Sequence, residues 1–177
     1  MKSLGRRFGL GGALAVMLLT AGTPACVPAG WMAAALLARC LVREDTAYQD
    51  MFISGVICYA AGMFWVWSMA AYLSSLNAFW VSLIFAVFAA AHALYLPGLL
   101  WLYRALPKAL DRLALRGAIA CVSMEWLPFK LFPWHIGHSQ WSFTTFIQAA
   151  DLGGTLLLTF VMVWSCEACY RGWRERR

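Results

Sequence analysis

The feature that most constrains the fold is a long run without charged residues. No Asp, Glu, Lys or Arg occurs from Met51 to Tyr103. As one α-helix this run would be about 80 Å long, whereas the hydrocarbon core of a bilayer is only about 30 Å thick. The run must therefore fold back on itself, and the polar stretch Tyr72–Asn77 is the natural turn. We predict spans at about 51–71 and 78–103, with a kink at Pro97 in the second.

Shorter apolar segments flank this run on both sides. Hydrophobic residues make up 63% of the chain and charged residues only 12%, whereas a soluble domain is near half apolar and a quarter charged. We therefore predict an all-α integral membrane protein with one polytopic domain over 1–177. Its six transmembrane helices are expected at about 8–22, 30–42, 51–71, 78–103, 113–127 and 152–170. The first segment also has features of a secretory signal, so its cleavage is left open.

The distribution of basic residues gives the orientation. In the six-span arrangement, 13 of the 14 Lys and Arg residues fall on one side, and only Lys130 falls on the other. Cytoplasmic loops of membrane proteins carry an excess of Lys and Arg. We therefore predict that both termini are cytoplasmic. The same bias accounts for the net charge of +6 without any nucleic-acid partner.

The cysteines and histidines do not predict a metal site. Most of the six cysteines are expected to be small buried apolar residues, because they lie within apolar runs or beside basic clusters. Cys166 and Cys169 form a single C-x-x-C without the second pair that a zinc site needs. His135 and His138 supply two ligands where zinc takes three or four, and Gly137 interrupts any helix that would align them. We therefore predict no metal and no cofactor.

Glu125 is the acidic residue whose position is hardest to explain. It lies nine residues beyond Arg116, or about 13 Å along a helix. A charged side chain at that depth costs at least about 2.5–3.5 kcal/mol, so Glu125 must be protonated, paired or facing a wet cavity. Lys130 and His92 are candidate partners, and the sequence does not choose between them. A structural ion pair and a functional carboxylate both remain open.

An aromatic segment broken by prolines follows Glu125. Pro128 ends the fifth helix, and Pro133 prevents an early restart. Tryptophan prefers the membrane interface, and non-helical backbone at membrane depth is tolerated only against protein or a wet cavity. We therefore predict a re-entrant or interfacial aromatic loop between the fifth and sixth spans, on the periplasmic side. An aromatic belt that only anchors the domain is the alternative.

This segment carries several short motifs in a fixed order. "EWLPFKLFPWHIGHSQ" is followed by "FIQAADLGG". The pattern resembles the E-W-L-R, F-P-W, G-Y-S-Q and I-Q…G-G elements in the membrane domain of bacterial apolipoprotein N-acyltransferase. Pro128 stands where that family has Arg, and His138 where it has Tyr. The matching residues are Glu125, Trp126, Leu127, Phe132, Pro133, Trp134, Gly137, Ser139, Gln140, Ile147, Gln148, Gly153 and Gly154.

The resemblance implies a multi-pass protein of the bacterial inner membrane with a role in lipoprotein biosynthesis. In that family a periplasmic nitrilase-like domain with a Glu-Lys-Cys triad transfers an acyl chain from phospholipid to the N-terminal cysteine of a lipoprotein. This sequence does not include that domain, so the resemblance implies a membrane portion that is not catalytic alone. The implied partners are phospholipid, lipoprotein and a separately encoded nitrilase-like domain. The implied lipid and substrate mouth comprises Glu125, Trp126, Pro133, Trp134, Gly137, Ser139 and Gln140.

Two other functions remain open at this stage. A noncatalytic membrane scaffold or lipid-binding paralogue would use the same fold without an acyltransferase partner. A small proton-coupled transporter would use Glu125 and a histidine as its proton site, but no internal repeat of the kind seen in many transporters is present. Whether the chain has enzymatic activity of its own is likewise left open.

Overall fold

The computed structural model describes residues 2–126 and 134–176, and these residues are almost entirely helical. Helix accounts for 82% of the structure, and the described part contains no strand. The predicted all-helical class is therefore confirmed. Short 3-10 helices lie at Lys108–Leu113 and Ile136–Gln140. The α-helices of the described part are α1 (Lys2–Leu19), α2 (Cys26–Val42), α3 (Tyr48–Gly62), α4 (Phe64–Leu73), α5 (Ala78–Ala93), α6 (Tyr95–Ala105), α7 (Arg116–Trp126), α8 (Thr144–Ile147) and α9 (Ala150–Glu175).

The charge-free run folds back within its predicted polar stretch, between the end of α4 and the start of α5. The side chain of Asn77 caps α5 by accepting a hydrogen bond from the backbone nitrogen of Trp80 at 3.2 Å. Helices α5 and α6 form one 28-residue stretch that is interrupted at Leu94. Pro97 lies one turn later, and it has no N–H to donate to the carbonyl four residues before it.

Length and composition support fewer spans than the six predicted from the sequence. In the described part of the chain, the stretches Ala78–Ala105 and Ala150–Glu175 are long and apolar enough to cross a membrane. The α3–α4 pair is bent by 49° and would make a third span if it crosses as one unit. Helix α7 has 11 described residues, or about 16 Å, which is too short to span a bilayer alone. The six-span count therefore stays a prediction.

Small residues allow the helices to pack closely. A Cβ atom added to Gly11 of α1 would lie 2.7 Å from the carbonyl oxygen of Ser54 in α3. One added to Gly55 would lie 2.7 Å from the carbonyl oxygen of Ala93, at the end of α5. All six cysteines are free thiols and four of them are buried, as the sequence predicted. Other fully buried side chains of this core are Leu10, Leu37, Leu99, Leu100 and Met162.

An ionic cluster joins the start of α7 to α9. Glu167 is fully buried, and its carboxylate accepts a 2.7 Å hydrogen bond from the backbone nitrogen of Gly117. Arg171 lies 2.8 Å from Glu167 and 2.7 Å from Asp111. The Glu167–Arg171 pair lies within α9 at i,i+4 spacing, and its bonds to Gly117 and Asp111 connect α9 to α7 and to the preceding 3-10 helix.

Candidate functional site

The loop that begins at Trp134 is fastened to α7 by Glu125. The carboxylate oxygen Oε1 of Glu125 accepts a hydrogen bond from the backbone nitrogen of Ile136 at 2.9 Å. Both residues are almost completely buried, with 5% and 6% of their surface exposed. A carboxylate that accepts a backbone hydrogen bond here offsets part of the cost of its burial. Glu125 therefore positions the loop.

A second set of contacts fastens the same loop to α9. The backbone nitrogen of Gly137 donates to Oγ1 of Thr159 at 2.9 Å, and Nδ1 of His135 lies 2.9 Å from Oγ1 of Thr155. A side chain at Gly137 would overlap the carbonyl oxygen of Thr155. The close approach of loop and helix therefore requires glycine at this position.

A third set of contacts fastens the loop to α2. The side-chain nitrogen of Gln140 donates to Oγ of Ser139 at 2.7 Å and to the carbonyl oxygen of Val27 at 3.3 Å. The indole nitrogen of Trp31 donates to Oε1 of Gln140 at 3.1 Å. Ser139 packs where a side chain at Gly30 would otherwise lie. Gln140 and Ser139 are completely buried, so their polar groups need these partners.

An apolar cleft lies beneath the loop, inside the helix bundle. Its cavity volume is about 50 Å³. Glu125 is the one carboxylate among its lining residues, and Tyr59 and Tyr95 add two phenol groups. The remaining lining residues are Leu14, Met17, Leu18, Leu37, Cys58, Met63, Leu96, Trp134 and Ile136.

A second cleft, with a cavity volume of about 360 Å³, adjoins the first. Leu18, Met63 and Trp134 line both spaces, so these three residues form a neck between an inner and an outer cleft. The outer cleft is also lined by Trp65 and His138. The indole ring of Trp134 packs against the imidazole of His138, with ring centroids 5.4 Å apart. The arrangement places apolar side chains along the inner cleft and an imidazole in the outer one.

The residues predicted for the substrate mouth do not all line a cleft. Glu125 and Trp134 line the inner cleft, whereas Gly137, Ser139 and Gln140 hold the loop against its neighbours. Trp126 is 74% exposed and is not among the lining residues. Pro133 lies outside the described residues.

The structure gives Glu125 a partner that was not predicted, the backbone N–H of Ile136. Nδ1 of His92 lies 2.9 Å from the carbonyl oxygen of Phe88 on its own helix, and the imidazole packs against the ring of Tyr59. Lys130 lies outside the described residues. This backbone N–H is a partner that single-residue charge arguments cannot reveal, because every residue except proline carries one.

The two histidines of the loop are used in hydrogen bonds. Nδ1 of His138 accepts from the backbone nitrogen of His135 at 2.9 Å, and Nδ1 of His135 faces Thr155. Their rings stack with centroids 5.0 Å apart. Within residues 2–126 and 134–176, no group of three or more His, Cys, Asp or Glu residues could hold a metal ion.

Sequence reasoning missed several residues that build the site. Thr155 and Thr159 of α9 have the spacing of one helical turn, which could have indicated a polar face toward the loop. Tyr59, Tyr95 and Trp31 lie far from the loop in sequence. Their involvement follows only from the way in which α2, α3 and α6 pack around it.

The comparison with known families agrees with these features of the loop. A family model described as the apolipoprotein N-acyltransferase N-terminal domain matches residues 12–168 of the 177-residue chain. No curated protein and no solved structure matches the chain with significance. The match includes the helices that form both clefts, as well as the loop that covers them.

Proposed function

The chain belongs to the apolipoprotein N-acyltransferase N-terminal domain family, and from this membership we propose a lipid-handling role in lipoprotein maturation. It is the membrane part of an apolipoprotein N-acyltransferase-like protein. In the proposed role, the two joined clefts receive part of an acyl chain of a phospholipid in the inner membrane. A nitrilase-like domain then carries out the transfer of that chain to the N-terminal cysteine of a lipoprotein.

The observation that carries the proposal is the pair of joined clefts under the loop. The inner cleft is lined mainly by aliphatic and aromatic side chains, which favour an apolar ligand. The outer cleft combines Trp65 and Trp134 with the imidazole of His138. Tryptophan side chains are suited to the boundary between an apolar chain and a polar group. An amphipathic lipid fits this order of surfaces.

The loop contacts support a division of roles among the predicted mouth residues. Trp134 would contact the lipid, because it lines both clefts. Gly137, Ser139 and Gln140 would act as positioning residues, because their hydrogen bonds and packing fix the loop on α2 and α9. Glu125 would do both, since it lines the inner cleft and holds Ile136.

The test of the proposed function is reconstitution of acyl transfer. The chain, a nitrilase-like acyltransferase domain, or both together would be expressed in bacterial inner membranes, and N-acylation of a diacylated lipoprotein would be measured by mass spectrometry. We expect product only when both are present. Product from the chain alone would show that it is itself catalytic. Product from the domain alone, at the same rate, would remove the need for this chain.

A second measurement tests the cleft directly. Leu18→Trp would fill the neck between the two clefts, and phospholipid retained by the purified protein would be quantified by native mass spectrometry. Leu83→Trp is the matched control, because it adds the same ring to an exposed face of α5. We expect lower retention only in Leu18→Trp. Equal retention in both would favour a scaffold that does not use the cleft.

A further inference from the structure

The hydrogen-bond partners of two histidines fix which ring nitrogen carries the proton. Nδ1 of His92 lies 2.9 Å from the carbonyl oxygen of Phe88, and a carbonyl can only accept, so this Nδ1 is protonated. Nδ1 of His138 lies 2.9 Å from the backbone nitrogen of His135, and a backbone N–H can only donate. This Nδ1 is therefore unprotonated, and the neutral ring of His138 carries its proton on Nε2.

Protonation of the ring has a different consequence at each histidine. His92 would take its second proton on Nε2 and keep the bond to Phe88. His135 would also keep its contact, because Nδ1 could donate to the hydroxyl of Thr155, which accepts as well as donates. His138 would take the proton on Nδ1, so two donors would face each other at the position of the present bond. The attached loop therefore accommodates only neutral His138.

We infer that His138 is a pH-sensitive latch on the loop. At neutral pH its Nδ1 atom holds the N–H of His135, at the start of the Ile136–Gln140 helix, and protonation of the ring releases this bond. Release would affect both clefts, because Trp134 precedes His135 and lines both of them, while His138 itself lines the outer one. The latch concerns the attachment of the loop and holds whatever ligand the clefts receive.

The described part of the chain places few titratable groups around the latch. The ring of His135 stacks on His138, and on α7 the carboxylate of Glu125 binds the N–H of Ile136. Asp151 is exposed at the start of α9, and α8 has no charged residue. Glu125 is therefore the other group whose protonation could release the loop. The residues that α1, α2 and the α3–α4 pair place against the loop or the outer cleft are uncharged: Leu18, Ala21, Val27, Gly30, Trp31, Gly62, Met63 and Trp65.

The latch predicts the direction and the size of the pH response. The detached loop can bind a proton at His138 and the attached loop cannot, so acid favours detachment. A free histidine side chain titrates at about pH 6.5, so the latch is closed above that pH and opens progressively below it. Between about pH 7.5 and about pH 5.5, the ratio of detached to attached loop should rise about tenfold.

The protonated nitrogens can be observed directly by nuclear magnetic resonance. The full chain would be labelled with ¹⁵N-histidine and studied in detergent micelles at neutral pH. The chain has only three histidines, so His92→Asn, His135→Asn and His138→Asn assign each ring by the loss of its signals. We expect a protonated Nδ1 in His92 and a protonated Nε2 in His138. A protonated Nδ1 in His138 would overturn the latch.

Hydrogen exchange of the loop, measured by mass spectrometry, tests the release. Protection of the backbone amides would be compared across the same pH range after correction for the intrinsic exchange rate, and it should fall about tenfold. His138→Asn places a side-chain oxygen, an acceptor that does not titrate, near the position of Nδ1. This variant should keep the protection and lose its pH dependence. His135→Asn is the matched control and should keep the pH dependence, because it retains the backbone N–H.

The outcomes separate the latch from the other acid-sensitive group of the site. Loss of protection that persists in His138→Asn would assign the response to Glu125 and overturn the latch. Protection that stays constant with pH in the unsubstituted chain would also overturn it. If His138→Asn folds poorly, the ring signals and the exchange of the unsubstituted chain still decide. None of these measurements requires a lipid ligand, so their failure would leave the proposed function standing.

Discussion

The carboxylate of Glu125 accepts a hydrogen bond from the backbone N–H of Ile136 at 2.9 Å, across 11 residues of sequence. This bond joins the last turn of α7 to the start of the Ile136–Gln140 helix. It explains how a buried acidic residue is tolerated here, because the carboxylate replaces part of its lost hydration with a fixed donor. It is one of three sets of contacts that hold the loop, beside those to α2 and α9.

Removal of this acceptor should weaken the attachment of the loop to α7. Glu125→Ala leaves the N–H of Ile136 buried without its acceptor, which should lower the free energy of unfolding by about 1–3 kcal/mol. Glu125→Gln keeps a side-chain carbonyl oxygen and should cost less. Thermal unfolding in detergent, together with protease cleavage near the loop, would measure both. Equal losses in the two variants would mean that charge, rather than the hydrogen bond, holds the loop.

The contact between Gly137 and α9 should not tolerate a side chain. Gly137→Ala places a methyl group against the carbonyl oxygen of Thr155, and such overpacking should cost about 1–3 kcal/mol of stability. Gly12→Ala is the control, because no atom outside its own turn lies within 4 Å of a Cβ there. This control should be neutral, or more stable by about 0.5–1 kcal/mol, since alanine favours helix. Chemical unfolding of both variants would compare them.

Trp31 and Gln140 should be energetically coupled. Their hydrogen bond of 3.1 Å links α2 to the loop, so Trp31→Phe and Gln140→Leu each remove one partner. The double variant should be less destabilised than the sum of the single variants, by about 1 kcal/mol. A thermodynamic cycle from chemical unfolding would measure this difference. Strictly additive free-energy changes in the two variants would show that the hydrogen bond contributes little to the attachment of the loop to α2.

The buried ionic cluster should be far more sensitive than an exposed ion pair. Glu167→Ala leaves Arg171 and the N–H of Gly117 without their shared carboxylate, and loss of one buried partner typically costs about 3–5 kcal/mol. Asp45→Ala removes the more exposed Arg43–Asp45 pair and should cost at most about 1 kcal/mol. Thermal unfolding would rank the two variants. A similar small loss in both would mean that α7 and α9 do not rely on Glu167.

Reporter fusions would test the predicted topology. Fusions after Asn77 and Gln148 should report the periplasm, and fusions after Arg43 and Arg112 should report the cytoplasm, as the positive-inside rule predicts. Alkaline phosphatase and a cytoplasmic fluorescent protein provide opposite readouts at each site. A reversed signal at any of the later sites would rule out the six-span arrangement.

Several features of this protein could be read from local sequence. The charge-free run predicted a fold-back and placed it correctly between Leu73 and Ala78, because an uncharged helix of that length exceeds the bilayer. The motifs from Glu125 to Gly154 indicated the family, which the match to residues 12–168 confirms. Glu167 and Arg171 are four residues apart on one helix, and their contact agrees with that local spacing.

Only the tertiary structure decided which groups meet in the site. The apolar residues around Glu125 in the sequence indicated that its carboxyl group needs a partner. Residue charge suggested Lys130 or His92 as candidates. The structure supplied the backbone N–H of Ile136 as a partner, and it placed Leu37 and Leu96 of separate helices in the lining of one cleft. The physical reason is that hydropathy and spacing act along the chain, whereas cleft walls and backbone hydrogen bonds depend on how separate helices pack.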